Sequence, residues 1–483
     1  MSELAYSSAS QLARLIRARA VSSRELTELY ISRIERYDGD INAVVVRDFD
    51  NALAAADAAD DALAKGEAAG PLHGVPMTIK ESYNIAGLPT TFGQPAQAQN
   101  IATDDADVVK RFKSAGAHFM GKTNVPINLA DLQSYNEIYG TTSNPWNLER
   151  TPGGSSGGSA ASLAAAFCGL DSGSDIGGSI RNPAHYCGVY GHKPTWNVVS
   201  AHGHWLPGTH TANDLSVVGP MARSSEDLAL AMDVIAGPPD IDAAGWSLKL
   251  PRPRRGSLAD YRVAVWADDE QAPVDASVVN RIGDVADALV RAGATISHDA
   301  RPNIDVAGAI QNYKLLLHGA MSRRMSDEMV NKRIAAAEQL DPDDMSDAAL
   351  TMRGGALRHR EWLELNNTRN ALRRAWRAFF DEWDILLCPQ TAGTAFPHDH
   401  RSLNRRRIDV NGAAQPYLQQ LFWAGLITGP YLPSTVFPTG PAADGLPIGI
   451  QAVSAEYNDF VCIDFCTLLA REIGGFVRPE GYE

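Results

Sequence analysis

Two short clusters of glycine and serine carry residue types that suit nucleophilic chemistry. The first, GGSSGG, contains Ser155 and Ser156, and the second, GGSIR, contains Ser179. A serine hydroxyl is a weak nucleophile until a base removes its proton. Upstream, Lys80 ends the apolar run of LHGVPMTIK. A lysine that enters a buried site loses the hydration of its charged form, so its pKa falls toward the range of a useful base. Lys80 is therefore a candidate base for Ser179.

The second cluster also suits the stabilisation of an oxyanion. Successive amides converge on one anion only where side chains stay out of the way, and two glycines supply that freedom. The expected donors are the backbone amides of Ile176, Gly177, Gly178 and Ser179. Asp175 and Arg181 flank this loop, and we expect them to pair across its base and hold its shape.

Other interpretations of the clusters are a flexible linker, a phosphate-binding loop and a nucleophile elbow. A linker fits poorly because SAASLAAAFCGL follows at once and is typical of a buried helix, and no lysine stands where a phosphate loop requires it. Residues 154–158 satisfy Gly-x-Ser-x-Gly, the elbow of α/β-hydrolases, which would make Ser156 the nucleophile. A non-catalytic binding protein is disfavoured because Lys80, Ser155 and Ser179 are all present.

The segment 151–195 resembles the signature of the amidase signature family of serine hydrolases. PGGSSGGSAAS, GSDIGGSIRNPA and CGVYGHKPT stand where that family has them, as do LHGVPMTIKE, GKTNVP and the late GLPIGIQ. The resemblance implies a triad in which Lys80 is the base, Ser155 the bridging serine after a cis peptide bond, and Ser179 the nucleophile. It also implies hydrolysis of an amide through an acyl-enzyme on Ser179. No metal or organic cofactor is expected, although the histidines of HGH at 202–204 and PHDH at 397–400 could suggest a metal.

The resemblance further implies an α/β fold: a single large domain, 1–483, with a central mixed, twisted β-sheet covered by helices on both faces. Strand-like and helix-like segments alternate along the sequence, which agrees with such a fold. Apolar spacing predicts a helical N-terminal segment over about 8–65, in which Ser22 and Ser23 before Glu25 form a helix cap. Residues 305–383 are predicted to form a mainly helical insertion or cap.

Composition limits the partners and the compartment. The formal charge is −14, with 57 acidic against 43 basic residues, which argues against nucleic acid or an anionic membrane as partner. No apolar run reaches the ~18 residues that a membrane span needs, and no secretory signal is visible. Five sparse cysteines suit a reducing compartment, so we expect a cytoplasmic protein. A homodimer is left open.

The expected substrate is a small-molecule amide with an apolar or aromatic group. Members of the family cleave carboxamides, aryl and fatty acyl amides, carbamates, ureas and glutamine, so two alternatives stay open. One is the glutamine-hydrolysing subunit of an aminoacyl-tRNA amidotransferase, and the other is an esterase or carbamate hydrolase. Candidate substrate contacts are Leu129, Tyr135 and Trp205, with Tyr313 and Trp423 as further aromatic candidates.

Overall fold

Strands from both halves of the chain form the centre of the fold in the computed structural model, which describes residues 2–68 and 70–483. The strands are β1 Val44–Arg47, β2 Pro76–Lys80, β3 His118–Thr123, β4 Tyr135–Asn136, β5 Gly140–Thr141, β6 Leu170–Asp175, β7 Tyr190–Lys193, β8 Val217–Ala222, β9 Arg262–Val265, β10 Thr295–Ser297, β11 Ile385–Pro389, β12 Arg407–Val410, β13 Ala413–Pro416, β14 Ser434–Pro441 and β15 Pro447–Val453.

The main sheet has eight strands in the order β10–β9–β11–β15–β14–β7–β8–β6. The pairs β10–β9 and β9–β11 are parallel, whereas every pair from β11 to β6 is antiparallel. Strands on both sides of the loop at 248–257 share this sheet. The arrangement confirms the predicted α/β fold with a central mixed sheet.

A smaller sheet, β1–β3–β2, holds the segment that ends in Lys80. Strand β2 runs parallel to β3, and every residue of both strands is buried. Buried parallel strands favour apolar residues on both faces, and PMTIK departs from that pattern at Thr78, whose hydroxyl donates to Asp171, and at its lysine. The sheet therefore carries one ionisable side chain from β2 into the interior.

Helices cover the main sheet on both faces. They are α1 Ser2–Ala5, α2 Ala9–Arg17, α3 Ser23–Ile41, α4 Phe49–Lys65, α5 Asp107–Ser114, α6 Gly157–Ala164, α7 Arg181–Cys187, α8 Ser225–Ile235, α9 Asp240–Ala243, α10 Ala276–Arg291, α11 Val306–Ser322, α12 Asp327–Glu338, α13 Asp347–Gly354, α14 His359–Glu382, α15 Leu421–Thr428 and α16 Asp459–Ile473. Helices α6 and α7 pack together against the sheet, and α16 packs with α8 and α10.

The N-terminal helices begin where the sequence predicts. Ser22 caps α3: its side chain accepts from the Glu25 amide, and the Glu25 carboxylate accepts from the Ser22 amide at 2.8 Å. This reciprocal pair satisfies two amides that the first turn would otherwise leave unpaired. Asn42 ends the helix with a left-handed backbone, φ 57°.

The segment 305–383 contains the four helices α11 to α14, and α11 connects it to the rest of the fold. Helix α11 packs against α13 and α14 within the segment and against α15 outside it. Its buried face includes Tyr313, Leu316 and Leu317. Within 2–68 and 70–483, no helix is long and apolar enough to cross a membrane.

Candidate active site

The two serine clusters lie against each other in the interior. The Gly154–Ser155 peptide bond is cis, as the resemblance implied, and Ser156 follows as the residue before α6. Ser179 lies in the loop between β6 and α7. The Ser156 amide donates a hydrogen bond to the Ser179 carbonyl at 3.1 Å. A Cβ atom at Gly154 would lie 2.5 Å from the Gln133 nitrogen, so only glycine fits there.

Lys80 reaches the first cluster from the end of β2 with its side chain fully buried. Its Nζ lies 2.7 Å from the Ser155 Oγ, 2.8 Å from the Ser156 Oγ and 3.0 Å from the Ser174 Oγ. No carboxylate lies within salt-bridge distance of this nitrogen among the residues that the structure describes. The lysine is thus surrounded by hydroxyl groups instead of a counter-ion.

Burial lowers the pKa of Lys80 to about 7, although the charges of Asp175 and Asp171 partly oppose the shift. The cause is the lost hydration of the ammonium in an interior without a direct anionic partner. Near neutral pH a large fraction of Lys80 is therefore an uncharged amine. Such an amine has two N–H donors and one lone pair, so it can accept the hydroxyl proton of Ser155 while donating to the other serines.

A buried ion pair supports the loop that carries Ser179. Arg181 donates from Nε to the Asp175 Oδ2 at 3.0 Å, and both side chains are fully buried. Burial acts to raise the pKa of Asp175, but the charge and hydrogen bonds of Arg181 outweigh it and hold the pKa at about 2. Arg181 also donates to the Thr428 hydroxyl of α15 at 2.7 Å. The pair that the sequence predicted is present and ties the loop to a neighbouring helix.

One of the four expected oxyanion donors is already used. The Gly178 amide donates to the Asp175 Oδ1 at 2.8 Å, so it is not free to donate to an oxyanion in this structure, in contrast to the expectation from the sequence. Glycine is needed there because its φ is 104° and because an added Cβ would lie 2.9 Å from the side-chain amide of Gln390. The amides of Ile176, Gly177 and Ser179 have no acceptor among the described residues.

A cavity of about 290 Å³ opens beside this loop. Its lining includes Leu129, Ile176, Ala201, His204, Trp205, Thr211, Asn213, Met321, Arg324 and Met329. Asn128 and Leu129 both have left-handed backbones with φ 58°, a conformation that costs free energy and often occurs at functional sites. Leu129 and Trp205, two of the predicted substrate contacts, both line this cavity.

Three aromatic candidates do not line this cavity. The Tyr135 hydroxyl accepts from Arg406 at 2.8 Å while its ring stacks on His400, so this predicted substrate contact lies outside the cavity. Tyr313 is buried and donates to the Ile176 carbonyl at 3.0 Å. Trp423 is buried and packs edge-on against Trp266. Hydrogen-bonding and packing partners distant in sequence hold all three rings.

The elbow and metal interpretations find no support in the geometry. Among the described residues no histidine nitrogen contacts the Ser156 hydroxyl, which contacts Lys80 and Ser174 instead. In the PHDH segment, Asp399 pairs with Arg401 at 2.7 Å, and His400 stacks on Tyr135. A groove of about 910 Å³ beside this segment is larger than the cavity that Ile176 lines; none of Lys80, Ser155 and Ser179 lines either space, but only the smaller cavity includes a residue of the loop that carries Ser179.

Sequence reasoning missed Ser174 and Arg324, and it named His204 only within the HGH segment, as a possible metal ligand. Ser174 contacts Lys80, and its signal was a polar residue in a fully buried strand. His204 lines the cavity and hydrogen-bonds to the Ser82 Oγ at 2.8 Å; burial and the nearby charge of Lys80 hold its pKa well below the usual value. Arg324 reaches the cavity from the end of α11, and nothing in its local sequence marked it.

Comparisons with known proteins agree on one family. The model of the family described as Amidase matches residues 25–463. The chain is 32% identical to the indoleacetamide hydrolase of Bradyrhizobium diazoefficiens, over 97% of this chain and 86% of that protein. It is also 32% identical to a glutamyl-tRNA(Gln) amidotransferase subunit of Methylobacillus flagellatus, over 93% of each. Among solved structures, a bacterial aryl acylamidase of the amidase signature enzymes superposes with a TM-score of 0.82 and 25% identity, covering 97% of this chain and 96% of that one.

Proposed function

The chain belongs to the amidase signature family of serine-dependent amide hydrolases, and from that premise we propose that it hydrolyses a small-molecule carboxamide through an acyl-enzyme on Ser179. The observation that carries the proposal is the hydrogen bond between the Lys80 amine and the Ser155 hydroxyl at 2.7 Å, in a site where the described residues offer the lysine no counter-ion. A buried amine of lowered pKa is the kind of base that a serine relay needs.

The reaction begins with a proton transfer. Neutral Lys80 takes the proton of the Ser155 hydroxyl, and Ser155 takes that of Ser179. The Ser179 oxygen then forms a bond to the amide carbon, and the electron pair of the C=O bond moves to oxygen. The free amides of Ile176, Gly177 and Ser179 donate to this oxyanion, where fixed donors stabilise charge as it develops.

The same relay completes the cycle. As the C–N bond breaks, the proton held on Lys80 returns through Ser155 to the leaving nitrogen, which departs as ammonia or an amine. Water then attacks the acyl ester after giving its proton to the relay. The acid is released, and Ser179 regains its hydrogen.

The substrate is an amide with an apolar or aromatic group. Leu129, Trp205 and Met321 supply apolar surface to the cavity, which supports this class. The helical segment 306–382 contributes Met321 and Met329, so it forms part of the wall. The five cysteines are free and buried, which fits the reducing cytoplasm that we expect for this enzyme.

The test combines intact mass with steady-state rates. The purified chain is incubated with acetamide, hexanamide, an acyl anilide and glutamine, together with ester and carbamate analogues. We expect turnover of hexanamide or the anilide, together with an acyl adduct that peptide mapping assigns to Ser179. An adduct on another residue, or turnover without any adduct, would contradict the proposal.

A second candidate is hydrolysis of glutamine within an amidotransferase. Its support is the 32% identity to an amidotransferase subunit, which equals the identity to the indoleacetamide hydrolase. In that case the chain alone would hydrolyse glutamine slowly and would respond to added partner subunits and tRNA. The glutamine arm of the same assay separates the two candidates.

A further inference from the structure

Two neighbouring arginines lie at the cavity beside the proposed nucleophile. Arg323 and Arg324 follow the end of α11, and both line the cavity that Ile176 borders. Ile176 belongs to the loop that ends at Ser179, so the arginines line a cavity that borders this loop three residues before the proposed nucleophile, although Ser179 itself is not among the lining residues. No Asp or Glu is among the described residues that line this cavity.

Arg324 is exposed to solvent, and none of its described contacts is with a carboxylate. Its guanidinium lies 4.5 Å from the centre of the Phe92 ring, and it donates to the Asn128 carbonyl at 3.4 Å. Neither Arg323 nor Arg324 forms a salt bridge within the described part of the chain, whereas many other arginines pair with carboxylates. An arginine held on an aromatic face with free N–H groups is suited to bind a carboxylate in a bidentate manner.

The other residues that line the cavity indicate the chemistry of the part of the ligand between that carboxylate and the scissile bond. Leu129, Met321, Met325 and Met329 offer apolar and adaptable surface. Near the loop, neutral His204 and the hydroxyl of Ser216 add no negative charge. A ligand that fills this space has an apolar body with an anionic group at one end.

We propose that the substrate is an amide that carries a carboxylate, held by Arg324 with help from Arg323, at the end remote from the scissile carbonyl. This inference rests on the proposed function, because it identifies the substrate class of the same site. It also argues against glutamine, since the described lining of the cavity has no acidic side chain to pair with the α-ammonium group.

The carboxylate could belong to the acyl part or to the amine part, and matched substrates distinguish these sources. For the acyl side, 6-amino-6-oxohexanoate is compared with hexanamide. For the amine side, N-hexanoylglycine is compared with N-hexanoylglycine methyl ester, scored by amide cleavage. We expect the kcat/KM ratio of anionic to neutral substrate to exceed one in at least one pair, and to fall at high salt as the charges are screened.

Variants then test the arginine itself. In Arg324→Gln, that ratio should fall by roughly 10-fold or more, the loss expected for a hydrogen bond to a charged group, and mainly through KM. Arg324→Lys should restore part of it. The control is Arg374→Gln, which changes an exposed arginine of α14 that forms no salt bridge with any described residue, and it should leave the ratio unchanged.

Binding separates a failure of this inference from a failure of the proposed function. Calorimetry on Ser179→Ala protein measures 6-amino-6-oxohexanoate, hexanamide and glutamine without turnover. Tighter binding of the anionic amide, lost in Ser179→Ala/Arg324→Gln, supports the inference even if the wild type hydrolyses neither. Turnover of hexanamide with equal binding of both amides would overturn the inference and leave the proposed function standing. Preferential binding of glutamine would also overturn the inference.

Discussion

The Ser156 amide donates a hydrogen bond to the Ser179 carbonyl at 3.1 Å, so the backbones of the two serine clusters are held together directly. This contact places the serine before α6 next to the loop that carries Ser179, and Lys80 contacts the same cluster through the Ser155 and Ser156 hydroxyls. A backbone bond of this kind survives substitution of either side chain. The variants below therefore change the chemistry of the site and retain this contact.

We expect Ser179→Ala to abolish turnover and covalent labelling by a fluorophosphonate. The reason is that only the Ser179 oxygen becomes the acyl ester in the proposed reaction. The measurement is peptide mapping of the labelled wild type together with the melting temperature of the variant, which should stay near that of the wild type. Ser156→Ala is the matched control and should still be labelled. A label on Ser156 would restore the elbow interpretation.

Activity should fall as the pH drops through about 7. Burial depresses the pKa of Lys80 to about 7, and only the neutral amine accepts a proton from Ser155. The active form is therefore present above this pH and lost below it. The measurement is the acidic limb of kcat/KM against pH. Lys80→Met should lose roughly 10³-fold in rate, in the range of general-base effects. If an active Lys80 variant lost kcat/KM at the same acidic pH as the wild type, Lys80 would not be the base.

The charge of Asp171 raises the pKa of Lys80, so this residue should affect the pH at which activity is lost. Its Oδ2 accepts from the Thr78 hydroxyl at 2.6 Å, and burial raises its own pKa to about 7. An ionised Asp171 favours the charged form of Lys80, so Asp171→Asn should lower the lysine pKa and move the acidic limb to lower pH. The asparagine can retain the bond to Thr78. The measurement is kcat/KM against pH for the wild type and for Asp171→Asn. An acidic limb at the same pH in both proteins would show that the Asp171 carboxyl is neutral over the whole range.

The sequence marked Lys80, Ser155 and Ser179 because glycine, serine and lysine motifs are local, and the resemblance to a family supplied their expected roles and the α/β fold. Apolar spacing predicted the helical N-terminal segment for the same local reason. The rest depends on contacts between distant residues. Asp175 takes the Gly178 amide, Arg406 binds the Tyr135 hydroxyl, and Arg324 meets a loop almost two hundred residues away. No local pattern encodes such pairings, since they arise only when the helices and the sheet have packed.

Tyr313 of α11 contacts the loop 176–179, whose amides are the proposed oxyanion donors. Its hydroxyl donates to the Ile176 carbonyl at 3.0 Å, and its oxygen would lie 3.0 Å from a Cβ added at Gly177. Tyr313→Phe keeps the packing and removes one hydrogen bond, so we expect kcat to fall by roughly 10-fold, as the cost of a misaligned donor, while the melting temperature changes little. Rates and thermal melts on the same preparation measure both. An equal loss of stability and rate would assign Tyr313 a structural role alone.

The apolar wall of the cavity should make rate depend on acyl length. Each buried CH₂ contributes about 0.8 kcal/mol, so kcat/KM should rise roughly four-fold per methylene from acetamide upward until the space of about 290 Å³ is filled. The measurement is kcat/KM along a homologous series of straight-chain amides. Ala320→Phe places a ring in the cavity wall and should end the rise at a shorter chain. The control Ala378→Phe changes an exposed position on α14 and should leave the series as in the wild type. A flat series would mean that the acyl chain extends into solvent instead of along Leu129 and Met321.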